Sequence, residues 1–202
     1  MLFDVTRRQL VDVFGAERLT TLPAGAFPPS AAGSEGARLL QTVGAPTGTL
    51  YLREPDESDG RLPVVQDVVD VEDFEHAPKA AGAWPVVGWL LNAHLALDPV
   101  SGAVYAFDAD EESVHALHAD VSSLVQVTVR LQRVLEEFTF HGGAADEEAE
   151  FERLEREVER IRQETSGIDP LPFWDEESVW AMVADEIAAG QRFVGDGPGA
   201  GR

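Results

Sequence analysis

Between Trp84 and Leu117 the chain alternates apolar runs with connections too short to hold a helix, and this limits its fold more than any other feature. Residues 84–91 and 93–98 are rich in Val, Leu, Trp and Ala. Ala103-Val104-Tyr105-Ala106-Phe107 and Ser113-Val114-His115-Ala116-Leu117 continue the series. Asp98-Pro99-Val100-Ser101-Gly102 and Asp108-Ala109-Asp110-Glu111-Glu112 supply turn chemistry between the later runs. Parallel neighbours need a crossover of roughly a dozen residues, whereas antiparallel neighbours need only a tight turn. The sequence therefore predicts an antiparallel meander.

Helical signals lie on both sides of it. Thr6-Arg7-Arg8-Gln9 has capping-box spacing ahead of Leu10, Val13 and Phe14, and Ser34 offers an N-cap to a helix carrying Leu39, Leu40 and Val43. Thr49 to Leu52 and Val64 to Val71 read as strands, with an acidic turn from Glu54 to Gly60 between them. Asp120 caps a helix running to about Phe140, whose face of Val121, Leu124, Val125, Thr128, Leu131, Leu135 and Phe138 can cover the sheet. His141-Gly142-Gly143 ends it. Phe151, Leu154, Val158 and Ile161 then form a narrow seam on a charged helix, expected to make a coiled-coil-like contact rather than to be deeply buried. A last helix carries Val179, Trp180, Val183 and Ile187. The expected fold is α+β, a central antiparallel sheet flanked by N-terminal and C-terminal helices. One domain spans 1–194 with a charged helical segment at about 144–165, and a disordered Gly-rich tail covers 195–202.

The formal net charge is −22, and between Glu54 and Asp120 fifteen acids face two bases, Arg61 and Lys79. Such a field repels nucleic acid and anionic membrane and speeds encounter with cations. Acidity also serves plain solubility, so charge alone names no partner. No apolar run reaches the roughly 18–20 residues of a membrane span, and Met1-Leu2-Phe3-Asp4 followed by Arg7-Arg8 lacks a secretory pattern. A cytoplasmic location is expected.

Chemical motifs are scarce. There is no cysteine, which excludes disulfides, zinc–thiolate sites and thiol nucleophiles. Ala32-Gly33-Ser34-Glu35-Gly36 lacks the P-loop lysine, and no nucleophile elbow accompanies His141-Gly142-Gly143. His115, His118 and Asp120 could form a metal triad only if they converge, and an extended strand points residues 115 and 118 to opposite faces. An EF-hand reading fails at position 12 whether it starts at Asp108 or Pro55, where Ala119 and Gln66 stand. No catalytic residue, metal or cofactor is assigned. Three of the four tryptophans are expected to fill cores. Trp84 and Trp89 fall on opposite faces of a regular strand, unless a bulge near Gly88 intervenes, so one of them faces solvent and a partner.

Several short motifs in this order resemble a known family. Gly44-Ala45-Pro46 after an amphipathic helix, Trp84-Pro85-Val86-Val87-Gly88, and Leu97-Asp98-Pro99-Val100-Ser101-Gly102-Ala103-Val104 are similar to steps in the SUKH superfamily, especially its fourth group of bacterial immunity proteins. Pro172-Phe173-Trp174 and the final helix resemble its C-terminal end, and the likeness covers roughly 35–190. The chain departs from the pattern at Asp120, where Asn is expected, and at Val125, where an aromatic is expected. The resemblance implies a non-catalytic α+β module that neutralises a polymorphic toxin, often a nuclease or nucleic-acid deaminase, by binding it in the cytoplasm. Combined with the charge, it makes Glu54, Asp56, Glu57, Asp59, Trp89, Asp108, Asp110, Glu111 and Glu112 the candidate contacts to a basic protein partner. The alternative is a protein-interaction scaffold on the same fold with no toxin, self-associating through 144–165.

Overall fold

The computed structural model describes residues 1–46, 60–138 and 147–193. Its N-terminal helices begin where hydroxyl side chains can satisfy free amides. Thr6 closes a reciprocal capping box with Gln9 to start α1 (Arg7–Phe14), and Ser34 accepts from the Ala37 amide to start α2 (Glu35–Val43). Gly15 and Gly44 end them at φ values of 78° and 90°, a region that a side chain would strain. Two short strands, β1 (Leu19–Thr20) and β2 (Ala45–Pro46), pair antiparallel behind these helices.

The predicted meander is present as β3 (Val86–Leu90), β4 (Ala93–Leu97), β5 (Val104–Asp108) and β6 (Ser113–His118), in that spatial order and antiparallel throughout. Alternation divides its side chains between two layers. Leu90, Leu95, Leu97, Val104 and Ala106 enter the main core with all the helices. Val86, Ala96 and Phe107 face the other way, into a smaller core with Val65, Phe74 and Trp84. Both faces of the sheet are thus covered.

The segment covering the second face is not the strand expected over Val64 to Val71. Only Val64 bridges to Pro85, and Val65–Asp67 is a 3-10 turn. The valines come in adjacent pairs, Val64-Val65 and Val68-Val69, rather than in alternation, and the Asp67 carboxylate accepts the Val64 N–H at 3.0 Å and closes the turn.

Asp120 caps α3 (Val121–Glu137) as expected, its Oδ1 accepting the Ser123 N–H at 2.9 Å, and Phe138 ends the helix in extended backbone. Val127, Val129 and Val134 are buried besides the predicted face, because α3 is enclosed by α1, α2, α4 and β6. The seam on α4 (Glu147–Ser166) corrects the sequence reading. Leu154, Val158 and Ile161 are at most 2% exposed and lie in the main core, where α4 packs against α3 and α5 (Val179–Ala188). Arg130–Glu164 at 3.1 Å and Arg162–Asp185 at 2.6 Å fasten α4 to these two helices. The seam looked marginal because charged residues surround it, yet two helices of the same chain close over it. Self-association through this helix therefore loses the apolar seam that motivated it.

The expected strand Thr49–Leu52, the acids Glu54, Asp56, Glu57 and Asp59, the His141-Gly142-Gly143 break and the tail from Gly195 lie outside the described residues.

Candidate functional site

Two hairpin turns meet at one end of the meander. Leu91 and Asn92 join β3 to β4, and residues 109–112 join β5 to β6. Asn92 Nδ2 donates to Asp110 Oδ2 at 2.9 Å and ties the two turns into one rim. Within the acidic turn, Asp108 Oδ1 accepts from the amides of Asp110 and Glu111 at 3.0 and 3.2 Å. Asp108 is half-buried and shapes the turn, while Asp110, Glu111 and Glu112 are exposed. The structure thus places the described acids of the predicted contact set, Asp108, Asp110, Glu111 and Glu112, at the β5–β6 turn.

Trp89 stands at the edge of this rim. A bulge at Val87 shifts the β3 register between Val86 and Gly88, as the Gly88 alternative allowed. The bulge sets both tryptophans on the second-core side: Trp84 is buried there against Tyr105, while Trp89, near the end of β3, pairs with His94 and remains 51% exposed. The register aligns Trp89, His94, Phe107 and Val114 in one row across the sheet. The Trp89 indole stacks on the His94 ring with centroids 5.8 Å apart, and its N–H donates to the Leu91 carbonyl at 2.6 Å. Leu91 adopts a φ of 52°, uncommon for a residue with a branched side chain.

The expectation of three buried tryptophans fails, since only Trp84 and Trp180 are buried. Trp174 is 59% exposed beside His115. Its short 3-10 turn at Leu171–Phe173 projects it from the surface, which spacing from the last helix did not reveal.

A second cluster was invisible to spacing because its members are far apart in sequence. A bulge between Val104 and Tyr105 sets His115 opposite Ala106 and His118 opposite Val104, so both histidines face the main core side, contrary to the regular-strand expectation. His118 is fully buried. Its Nε2 accepts the Trp180 indole N–H at 2.5 Å and its Nδ1 lies 3.0 Å from Ser123 Oγ. An indole only donates, so the imidazole carries its proton on Nδ1. Burial pulls the His118 pKa down to about 3. Asp169, 3.9 Å from Nδ1, accepts the amides of Ala119 and Leu171. Burial also lowers the His115 pKa, opposed by the nearby Asp108 and Asp175 carboxylates.

Sharing a face does not make these histidines ligands. Both His118 nitrogens are engaged, and the Asp120 carboxylate takes the Ser123 amide, the Ser122 hydroxyl and the Leu2 amide. Among the described residues no group of three His, Asp or Glu is placed to hold a metal ion. A groove of about 460 Å³ between α3 and α4 gathers Arg130, Arg133 and Arg160, but each pairs with a glutamate of the same two helices.

The family model of the SUKH-4 immunity proteins matches residues 5–186, from the segment preceding α1 into α5. The chain belongs to the SUKH-4 immunity protein family. No curated protein and no solved structure matches it. The SUKH-4 motifs seen in the sequence fall at structural joints. Gly44-Ala45-Pro46 ends α2 and forms β2, and Gly88 follows the β3 bulge. Asp98 accepts from Val100 N and Ser101 Oγ in the β4–β5 turn, where Gly102 has φ 83°. These motifs set geometry and supply no reactive group. Among the described residues, no helix of this SUKH-4 chain is long and apolar enough to cross a membrane.

Proposed function

We propose that this chain is a cytoplasmic immunity protein that binds a basic cognate toxin, a nuclease or nucleic-acid deaminase, and occludes its phosphate-binding cleft. The observation that carries this reading is the SUKH-4 match over residues 5–186. The rim of Trp89, Asp110, Glu111 and Glu112 is the contact surface we assign, with Glu54, Asp56, Glu57 and Asp59 as further acidic contacts. A toxin that grips nucleic-acid phosphates presents cationic groups, and an acidic protein can take their place. Acids at the rim speed the encounter, whereas an aromatic anchor at the contact slows dissociation. The role is binding, without catalysis or cofactor. Co-expression of this chain with the toxin encoded beside it tests the reading. Growth rescue and a co-purifying complex are expected, and the absence of both would sink it.

A further inference from the structure

The partner-binding reading of the rim leaves open what the Trp89 ring recognises. Its polar handle is spent, because the indole N–H is held by the Leu91 carbonyl at 2.6 Å. One ring face is stacked on His94. What Trp89 offers to another molecule is therefore the π surface that its 51% exposure leaves open.

Two ligand classes suit a π surface, an apolar side chain or a cation. An apolar anchor docks into a contiguous apolar patch. Here Phe107 in the same row is fully buried, and Trp89 is the one large apolar side chain exposed among the described rim residues 86–94 and 107–114. The charged side chains of these same rim residues are instead all carboxylates, Asp108, Asp110, Glu111 and Glu112. The turn beside Leu91 is tied through Asn92 to Asp110, and the exposed Glu111 and Glu112 follow. The ring is also held rigid by the stack, the indole hydrogen bond and the strand pairing with His94, so little conformational freedom is lost on contact. A cation over an indole face gains from the ring quadrupole, and a guanidinium also stacks on it.

We propose that Trp89 is the receptor for a single arginine side chain of the partner, its guanidinium lying on the open indole face beside the carboxylates of the 109–112 turn. This rests on the rim being the binding surface, but it is testable without the partner. The probe is N-acetyl-arginine amide added to the full chain and followed by ¹H–¹⁵N correlation spectra, with N-acetyl-norleucine amide as the uncharged analogue. Saturable shifts are expected at the Trp89 indole N–H and the amides of Leu91, Asn92 and residues 109–112, with a dissociation constant of roughly 1–10 mM. Trp89→Leu should weaken this by about tenfold, and Trp89→Phe should retain part of it. Glu111→Gln with Glu112→Gln, which leaves the ring untouched, should weaken it by about twofold to fivefold at low salt. Equal shifts with the norleucine analogue, or arginine shifts spread over other acids with Trp89 silent, would overturn the proposal. Failure of toxin rescue with the arginine site intact would count against the immunity role and leave this site standing. Rescue with a silent Trp89 would do the reverse.

Discussion

Acidification should unfold this protein through His118 before most of its carboxylates matter. Protonating the buried imidazole turns the Nε2 acceptor into a donor facing the Trp180 N–H, and burial withholds solvation from the charge. The folded pKa lies near 3 against 6.5 when free. The unfolded chain therefore binds the proton first, and the stabilisation is complete above pH 6.5 and lost as pH falls towards 3. From linkage, the loss is about 1 kcal/mol at pH 5.5 and about 3 kcal/mol at pH 4.5. With a urea m-value of about 2 kcal/mol/M, the unfolding midpoint should drop by about half a molar at pH 5.5 and by roughly 1–2 M at pH 4.5, relative to pH 7.5. Tryptophan fluorescence suits the assay, since Trp180 is buried against His118. His118→Asn removes the titration while keeping an oxygen that can accept from Trp180. Its baseline stability should fall by about 1–3 kcal/mol, but its midpoint should change less between pH 7.5 and 4.5 than that of the parent. His115 shifts in the same direction and is common to both proteins, as are the carboxylates. Parallel pH profiles for the two proteins would refute the assignment.

Three further outcomes follow from named contacts. Asp120→Ala should destabilise by about 1–2 kcal/mol in urea unfolding, because the carboxylate caps α3 and also holds the N-terminal segment at Leu2. Leu154→Ala should cost about 2–5 kcal/mol, and light scattering should show an unchanged oligomeric state, since the seam faces α3 and α5. Replacing Asp110, Glu111 and Glu112 by their amides should slow toxin association and flatten its salt dependence in stopped-flow measurements, with dissociation little altered. Unchanged association rates would reduce these acids to solvated turn residues.

The meander, the helix caps and the burial stripe of α3 were legible because each rests on local chemistry: Thr6, Ser34 and Asp120 each find an amide three residues on. The Val64–Val71 segment misled because β-propensity is read from composition, whereas a single carboxylate at Asp67 diverted its backbone into a turn. The α4 seam reads as shallow from its spacing because burial depends on which helices close over it, and that is settled by tertiary packing. Trp89 and the acids of the 109–112 turn were each visible alone, but their union depends on the Asn92–Asp110 bond across four strands' worth of register. The His118 cluster had no local signature, as His118 and Trp180 are 62 residues apart. One bulge in the β5–β6 pairing turns His115 and His118 to the same side, and its position follows from pairing partners rather than from spacing.

Strand β6 begins at the acidic turn and ends at His118, so its six residues separate the rim from the buried imidazole by about 17 Å. The two ends answer to different demands. Around His118, nearly any substitution leaves a polar atom stranded, and the choice of residue is tightly limited. At Glu111 and Glu112 the side chains face solvent, and exchanges there typically alter stability by no more than about 0.5 kcal/mol. On the partner-binding reading proposed above, the charges of Glu111 and Glu112 can be exchanged for a new partner on a scaffold that does not register the change.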